Sequence, residues 1–281
     1  MASFGRRYLV ELADSSTLDC VTRGKRGALA CGDRVTVARS GAGKGVIEAV
    51  SARTTLLYRS DRARQKLVAA NVTQIAIVVA PLPAFSEDLV NRALAAAEHG
   101  GMAVLIVLNK MDLPQAPAAR AGLEPYRRLG YRLVALSARR DPNPLIPHLE
   151  GQTSVLVGPS GMGKSTIINA LLPAAAVRVA EISAALDSGR HTTTHARLYH
   201  LDAASDVIDS PGLQVFGLHH LDETALAQAF VEFRPWLGHC RFRDCRHVSE
   251  PGCAVAAACK RDNFSKRRLE SYRKLLRERK P

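Results

Sequence analysis

The spacing of apolar residues along this 281-residue chain changes twice. Up to about residue 60, short runs of mixed apolar and polar residues are interrupted by glycines, which predicts about five short strands. From about residue 70, continuous apolar runs alternate with amphipathic stretches, as in a parallel sheet with helices on both faces. After about residue 220 the pattern is helical and irregular. We predict three domains: a small β-barrel of the oligonucleotide-binding (OB) type over 1–66, an α/β domain over 67–222, and a helical domain over 223–281.

The α/β region predicts specific elements. Its buried strands should cover residues 73–80, 102–109, 131–138, 153–158 and 205–210. An amphipathic helix should begin after Ser86, which suits an N-cap, and end at Gly100 and Gly101. Another helix should begin at Lys164.

The composition is that of a globular protein. Hydrophobic residues make up 47% of the chain and charged residues 23%, which is enough for a sizeable core. No run reaches the ~18 apolar residues of a membrane span, and the N-terminus lacks an apolar signal core and a cleavage site. We expect a cytoplasmic monomer with no membrane partner.

The net charge of +13 is concentrated at the two ends of the chain. Residues 1–70 hold 13 Lys or Arg against 6 Asp or Glu, and residues 260–281 hold 10 against 3. The residues between them are nearly neutral. Basic ends on a neutral centre suggest a polyanionic partner. The alternative is that these side chains are only solvated.

A phosphate-binding motif follows the predicted strand over 153–158. The stretch "GPSGMGKS" fits G-x-x-x-x-G-K-[ST] between a predicted strand and a predicted helix, the context that the motif requires. Its glycines let backbone N–H groups surround phosphates, and the helix N-terminus adds partial positive charge. Lys164 should reach the β- and γ-phosphates and Ser165 should bind Mg²⁺. The predicted phosphate loop consists of Gly158, Pro159, Ser160, Gly161, Met162, Gly163, Lys164, Ser165 and Thr166.

A guanine-reading motif lies upstream of this loop. It is "NKMD", which comprises Asn109, Lys110, Met111 and Asp112. The Asp112 carboxylate can accept bonds from guanine N1–H and the exocyclic amine, a pair of donors that adenine lacks. Lys110 would cover one face of the base, and Asn109 would tie this loop to the phosphate loop. Taken alone, the four residues also fit a helix N-terminal turn capped by Asn109.

The next predicted strand supplies a second base contact. It ends in "LSA", where Ser137 and Ala138 offer a backbone N–H suited to guanine O6. With the phosphate loop and "NKMD", this contact predicts a GTP site rather than an ATP site.

Two further segments complete the predicted site. "VIDSPGL" contains Asp209, placed to hold Mg²⁺ through water, and Gly212, whose N–H would sense the γ-phosphate. The preceding stretch "SGRHTTTHARLYH" is predicted to be a polar loop that closes over Mg²⁺. Thr193 is the preferred metal ligand there, and Thr192 or Thr194 fits the spacing almost equally.

The order of these motifs is rotated. Ordinary GTPases run from phosphate loop through threonine and Asp-x-x-Gly to the base reader and the second base contact. Here the base reader at 109 and the second contact at 137 come first, and the phosphate loop at 158, the threonines and Asp209 follow. All five elements are present, so we interpret the chain as a circular permutation.

The chain has six cysteines, four of them near the C-terminus. "CRFRDCRHVSEPGC" has the spacing C-x4-C-x-H-x5-C, typical of a closed tetrahedral site for one structural zinc ion. The predicted ligands are Cys240, Cys245, His247 and Cys253. His239 and Cys259 are alternatives, although Cys259 fits a packing role better. Cys20 and Cys31 are interpreted as barrel residues.

The last segment predicts a helix with an apolar stripe formed by Leu269, Tyr272, Leu275 and Leu276. Its basic residues are Lys266, Arg267, Arg268, Arg273, Lys274, Arg277 and Arg279. Two interpretations fit equally: a docked helix with solvated charges, or a helix on the zinc domain that meets RNA phosphates.

The rotated motif order, the barrel in front and C-x4-C-x-H-x5-C behind make the chain resemble the ribosome small-subunit-dependent GTPase A family over nearly its whole length. The resemblance implies an OB barrel, a circularly permuted GTPase domain and a zinc domain. It also implies a GTPase that binds the 30S subunit late in maturation, hydrolyses GTP to GDP when stimulated by that subunit, and contacts 16S ribosomal RNA through its flanking domains.

The catalytic residue is less obvious. Leu213 stands where Ras-like proteins carry a water-orienting Gln, and members of the resembled family are also apolar there. His191 matches a family histidine considered catalytic, and its imidazole could orient water from a mobile loop. Gly161 replaces the Asn with which some related GTPases hold potassium, so potassium activation is not expected. The alternative function is a GTP-gated RNA-binding module in which hydrolysis is incidental; a P-loop kinase would leave "NKMD" unexplained.

Overall fold

The structure is a computed structural model that describes residues 2–4, 7–23, 29–60, 65–172, 196–210 and 218–278. Its centre is a parallel sheet of β8 (Gln74–Val79), β9 (Ala103–Leu108), β10 (Arg132–Ala135), β11 (Thr153–Val157) and β13 (Asp206–Asp209). These strands lie in the order β10-β9-β8-β11-β13, and each adjacent pair is parallel. The predicted strands of the α/β region are therefore confirmed.

Helices cover both faces of this sheet, as predicted. Alternate residues of β8 face two different cores, with Ile75 and Ile77 in one and Ala76 and Val78 in the other. The first core is covered by α1 (Glu87–Gly100) and α2 (Ala116–Arg128), and the second by α3 (Lys164–Leu171) and a 3₁₀ helix (Asn143–His148). The α1 helix has Ser86 at its N-cap and ends at Gly101, as the sequence predicts.

The N-terminal region is built from short strands around a small core of its own. These are β1 (Ala2–Phe4), β2 (Arg7–Glu11), β3 (Thr17–Thr22), β4 (Val35–Gly41) and β5 (Lys44–Val50), in the order β1-β2-β3-β5-β4. Leu18, Cys20 and Ile47 are buried between them. Cys20 is thus a packing residue of this region, as predicted.

The next two strands pack against the α/β region. β6 (Leu56–Ser60) and β7 (Gln65–Ala70) form a hairpin, and Leu57 and Ala69 are buried in the same core as α1. β7 spans the predicted boundary after residue 66. Cys31, interpreted as a barrel residue, is buried in this core with Leu57, and its backbone bridges to Ala69.

One segment predicted to be a loop is a strand. Arg197–His200 forms β12, antiparallel to β13, within the stretch that the sequence predicted to be polar and irregular. Leu198 packs against one core and Tyr199 against the other, which the polar neighbours conceal in the sequence. β12 also pairs with β1 through Ala2 and Arg197, so the sheet continues into the N-terminal region and has 11 strands among the described residues.

The C-terminal region is helical, as predicted. It contains α4 (Glu223–Gln228), a 3₁₀ helix (Val231–Trp236), α5 (Ala254–Cys259) and α6 (Asn263–Glu278). The predicted stripe of α6 is buried with Phe230, Phe233 and Cys259, so Cys259 has a packing role. Within the described residues, no helix has the length and apolar character needed to cross a lipid bilayer.

Arg268 is not one of the surface charges of α6, contrary to the prediction. Its side chain is 1% exposed and lies 2.6 Å from the Glu232 carboxylate. Its guanidinium also donates to Asn91 Oδ1 at 2.9 Å and lies 4.4 Å from the centre of the Phe230 ring. A buried charge is tolerated only with such partners.

Other α6 charges are also engaged within the protein. Arg267 pairs with Glu87 at 3.0 Å, and Lys274 pairs with Asp88 at 3.2 Å. Both partners lie in the first turn of α1, so α6 docks on the α/β domain as well as on the helical region. Neither of the two sequence interpretations of these charges included this use.

A histidine connects the N-terminal strands to the central sheet. His200 Nδ1 lies 2.6 Å from Asp206 on β13, and His200 Nε2 lies 3.0 Å from Glu11 on β2. Burial opposes the charged imidazole, but the hydrogen bonds to Asp206 and Glu11 outweigh burial and raise the pKa of His200. The protonated ring therefore favours the folded arrangement.

We expect this contact to make stability depend on pH. Because the pKa is raised in the folded state, the stabilisation is fully present below the unfolded value of about 6.5 and is lost as pH rises through the folded pKa. Thermal unfolding from pH 5.5 to 8.5 should show this decline in the parent protein and a flatter curve in His200→Gln. Parallel curves for the two proteins would contradict the assignment.

Candidate nucleotide site and metal centre

The predicted phosphate loop connects β11 to α3 at the carboxyl end of the parallel sheet, where α/β proteins commonly bind ligands. Gly158 has a φ of 146°, and a Cβ there would lie 2.3 Å from the carbonyl oxygen of Val78. Only glycine fits this approach of the loop to β8. The side chain of Met162, by contrast, is buried in the core, so its backbone is the part that serves the loop.

Lys164 and Asp209 form the charged part of this end. The Lys164 ammonium donates to the carbonyl oxygens of Gly158 at 2.7 Å and Pro159 at 2.9 Å. Burial lowers the pKa of Lys164, and the charge of Asp209 opposes this change. Burial likewise raises the pKa of Asp209, opposed by Lys164. Both charges are therefore poorly solvated, and phosphates and a divalent cation would stabilise the charged form of each.

Asn109 joins the base-reading loop to its neighbours. It is 3% exposed. Its side-chain amide donates to the carbonyl of Met162 in the phosphate loop at 3.0 Å, and its Oδ1 accepts the Ala138 N–H at 3.0 Å. One buried side chain thus ties together the three segments that the sequence assigned to the nucleotide. The Ala138 N–H, predicted as the kind of donor that meets guanine O6, is engaged with Asn109 in this structure.

The remaining base-reading residues have defined positions. The Ser137 hydroxyl donates to Asp112 Oδ1 at 2.7 Å. This bond is the main reason that the pKa of Asp112 lies below its usual range, with Arg139 and Arg140 adding smaller effects. Lys110 has a positive φ of 61° and donates from Nζ to the Leu82 carbonyl at 2.7 Å, so its stem is held in place. Met111 packs its side chain against the hydrophobic core.

These segments enclose one cavity of about 630 Å³, a volume suitable for a nucleotide. Predicted residues that line it are Asn109, Lys110, Asp112, Ala138, Ser160, Gly161, Gly163, Lys164, Ser165 and Thr166. Predicted residues outside its lining are Met111, Ser137, Gly158, Pro159, Met162 and Asp209.

Sequence reasoning missed three residues of the cavity wall: Leu82, Leu113 and Arg139. Leu113 and Arg139 directly follow the two base motifs in the sequence. Extending each motif by one residue would therefore have identified them. Leu82 lies in a loop without any motif. The predicted residues His191, Thr193 and Gly212, with the alternatives Thr192 and Thr194, lie outside the described residues.

The cysteine cluster brings together the four predicted metal ligands. Cys240, Cys245, His247 and Cys253 offer ligand atoms that all lie within 4.8 Å of one another. His247 Nδ1 is 3.6 Å from the sulfurs of Cys240 and Cys245 and 3.3 Å from that of Cys253. The sulfurs of Cys240 and Cys253 are 3.9 Å apart. Tetrahedral zinc, with bonds of about 2.3 Å to sulfur and 2.0–2.1 Å to nitrogen, gives ligand separations of about 3.5–3.8 Å.

The backbone around His247 is shaped for this geometry. His247 is buried and has a positive backbone φ of 61°, which residues other than glycine rarely adopt. Its carbonyl accepts a hydrogen bond from Arg273 at 3.0 Å, and the carbonyl of Arg246 accepts one from Tyr272 at 3.0 Å. Burial lowers the pKa of His247, which favours the neutral imidazole that binds a metal. The site is compatible with a metal ion held by three thiolates and one imidazole.

Comparison with known proteins shows which family has this arrangement of motifs. The family model described as RsgA GTPase matches residues 50–219, which include both base motifs, the phosphate loop and Asp209. A protein of Nitrosospira multiformis named small ribosomal subunit biogenesis GTPase RsgA is 56% identical over 277 residues, which cover 98% of this chain and 88% of that protein. This chain belongs to the RsgA GTPase family.

Further members show the same extent of similarity. A protein of the same name from Nitrosomonas europaea is 50% identical, covering 98% of this chain and 89% of its own length. The crystal structure of YjeQ from Thermotoga maritima matches with a TM-score of 0.73 at 30% identity, covering 98% of this chain and 95% of that one. The structure of YloQ, described as a circularly permuted GTPase, matches with a TM-score of 0.68 at 26% identity, covering 99% and 94%.

Membership in the RsgA GTPase family makes this chain a GTP hydrolase with a circularly permuted GTPase domain. The rotated motif order therefore reflects the fold, since the permuted segments meet in one cavity through Asn109. A GTPase uses GTP together with Mg²⁺. The exposed hydroxyl of Ser165 and the carboxylate of Asp209 are suitable oxygen ligands at the phosphate end.

Proposed function

We propose that this GTPase binds the 30S ribosomal subunit, assists its late maturation, and hydrolyses GTP to GDP and phosphate with stimulation by the subunit. The single observation that carries the nucleotide part is the Asn109 bridge between the base-reading and phosphate loops. The subunit part is supported by the relatives named for small ribosomal subunit biogenesis. The excess of basic residues at both ends of the chain fits 16S ribosomal RNA as the surface contacted.

In the proposed complex, different residues of the cavity bind the base, the phosphates and the metal ion. The ionised Asp112 carboxylate, oriented by Ser137, accepts bonds from guanine N1–H and the amine. The stem of Lys110 covers one face of the base. The phosphate loop and Lys164 would hold the β- and γ-phosphates. Ser165, Thr193 and, through water, Asp209 would hold Mg²⁺, which would supply positive charge next to the transferred phosphoryl group. The N–H of Gly212 senses the γ-phosphate.

The test of this function is GTP hydrolysis with and without purified 30S subunits, combined with co-sedimentation. We expect the subunit to increase the rate, and a non-hydrolysable GTP analogue to retain more protein on the subunit than GDP does. An unchanged rate with nucleotide-dependent binding would instead support the alternative, a GTP-gated RNA-binding module in which hydrolysis is incidental. We also propose that the protein is a cytoplasmic monomer, and the sedimentation of the unbound protein would test the monomeric state by its size.

Hydrolysis in the proposed complex depends on His191. Leu213 has no group that can orient water, so the intrinsic rate should be low. We expect His191→Ala to abolish the stimulated turnover and leave the affinity for GTP nearly unchanged, because an imidazole that positions water is not needed for binding. Single-turnover assays with 30S subunits and GTP titrations measure the two effects separately. Stimulated rates equal to those of the parent would refute the role of His191.

We also propose that the cysteine cluster holds one structural zinc ion. Its four ligands leave no open position for water, and helices α5 and α6 pack in the same hydrophobic core as Cys253. Zinc at this site would add stability to the proposed domain 223–281, which follows the GTPase domain 67–222 and the OB barrel 1–66.

Removing one thiolate should release the ion. We expect Cys245→Ser to lower the zinc content from about one equivalent to near zero, because a serine hydroxyl is a poor substitute for a thiolate ligand. The unfolding midpoint of the helical region should fall as well, because the free energy of metal binding contributes to folding. Elemental analysis and thermal unfolding measure the two effects. Cys259→Ala is the matched control, since Cys259 is a buried cysteine of the same core that should leave the zinc content intact. Full zinc in Cys245→Ser would contradict the assignment.

A further inference from the structure

The arginines of the helical region differ in their partners. Arg234, Arg246, Arg267 and Arg268 each pair with a protein carboxylate. Arg241 and Arg243 make no salt bridge within the described part of the chain, and both are exposed. These two arginines flank Phe242. Their charges are not neutralised by a carboxylate of the described residues and are therefore available to an anionic partner.

Phe242 is unusual in its exposure. Its side chain is 42% exposed, whereas Phe230 and Phe233 of the same region are fully buried. The guanidinium of Arg241 lies 5.5 Å from the centre of the Phe242 ring, a cation–π arrangement. An exposed aromatic ring with an arginine against it presents a flat, apolar and positively charged surface. The exposure of Phe242 has no explanation in the packing of the region.

The turn that carries Phe242 is held firmly in place. The Arg241 N–H donates to the Gly252 carbonyl at 3.1 Å, and the Cys245 N–H donates to the Phe242 carbonyl at 3.3 Å. A Cβ at Gly252 would lie 2.9 Å from Cβ of Arg241, so the two segments are in close contact. The backbone that carries Phe242 is therefore already ordered, and binding a partner there would require little further loss of conformational entropy.

We propose that Arg241, Phe242 and Arg243 form a stacking platform for an unpaired RNA base. Unstacked bases in single-stranded RNA bind to aromatic rings and guanidinium planes, and the neighbouring phosphates bind arginine. The single acid of the turn, Asp244, leaves a net positive charge beside the ring. The inference rests on the proposed function, in which the helical domain meets ribosomal RNA, and adds which residues meet it and that the target is a single strand.

The test measures RNA binding by the full chain with zinc bound, using fluorescence anisotropy. The probes are a labelled RNA strand of about 12 nucleotides and the same strand in a duplex. We expect Phe242→Ala to weaken single-strand binding roughly 5- to 150-fold, which corresponds to about 1–3 kcal/mol for one stacked base. Phe242→Trp should retain the binding, and duplex binding should change little. Val248→Ala, which truncates another exposed apolar residue of the same loop, is the matched control and should bind as the parent does.

The salt dependence separates stacking from charge. Phe242→Ala should leave the slope of log affinity against log salt unchanged, whereas Arg243→Gln should reduce its magnitude by about 0.7, the contribution of one phosphate contact to a single strand. The platform is overturned by a parent chain that does not bind the single strand, by equal losses for strand and duplex, or by single-strand binding in Phe242→Ala that equals the parent's. Zinc content and the unfolding midpoint must match the parent for each variant, and Phe242→Leu replaces Phe242→Ala if they do not.

Co-sedimentation with 30S subunits distinguishes this inference from the proposed function. A parent chain that does not sediment with the subunit refutes the function itself. A parent that sediments, with Phe242→Ala sedimenting equally, leaves the function intact and overturns the platform. Loss of subunit binding without loss of naked RNA binding would make the partner a ribosomal protein and would also overturn it.

Discussion

Asp112→Asn should weaken GTP binding by roughly 10²- to 10⁴-fold and improve the binding of xanthosine triphosphate. The carboxylate is predicted to accept two charge-assisted hydrogen bonds from guanine, each worth about 1.5–3 kcal/mol. An amide at this position presents a donor to a donor of guanine. Xanthine has a carbonyl where guanine has the amine, so the same amide donor finds an acceptor there.

The arrangement around Asp112 makes this experiment specific. Ser137 donates to one carboxylate oxygen at 2.7 Å, and Asn109, not Asp112, holds the loop to its neighbours. The substitution should therefore change base recognition without dismantling the pocket. Calorimetric titrations with GTP, GDP and the xanthosine nucleotides measure the change, and the gain for xanthosine is an internal control for folding. An unchanged preference for guanine would show that another residue reads the base.

The nucleotide site could be predicted from the sequence more completely than the rest of the protein. Its motifs are short continuous segments, and each motif occurs in one kind of backbone setting. Gly158 and Lys164 lie between a strand and a helix, and the predicted tie from Asn109 to the phosphate loop is present at 3.0 Å. Leu82 was not predictable in this way. It reaches the cavity because the loop after β8 passes beside Lys110, a proximity that only the folded sheet creates.

Arg268 shows where periodicity fails. A helical pattern counts arginine as polar and assigns it to the surface, but Glu232 and Asn91 supply partners from segments far away in the sequence. The positions of Cys31 and β12 could not be predicted for a related reason. Each is placed by pairing with a distant strand, Cys31 with Ala69 and Arg197 with Ala2, and a local pattern carries no information on such partners.

Gly163→Ala should disconnect the two halves of the nucleotide site. Gly163 has a φ of 97°, and a Cβ there would lie 2.3 Å from Asn109 Nδ2. The methyl group would push away the amide that donates to Met162 and thereby strain the Ala138 contact as well. Two buried hydrogen bonds left unmade cost about 1–3 kcal/mol each, so we expect GTP and GDP affinity to fall roughly 30- to 10⁴-fold.

The chain offers a matched control for backbone strain. Gly130 also has a φ of 97°, but a Cβ there would meet nothing within 4 Å. Gly130→Ala therefore carries the same left-handed penalty, about 1–2 kcal/mol of stability, without the clash. We expect both variants to unfold at lower temperature and only Gly163→Ala to lose nucleotide affinity. Equal affinities in the two variants would contradict the inference that the Asn109 bridge between the base-reading and phosphate loops unites the permuted site.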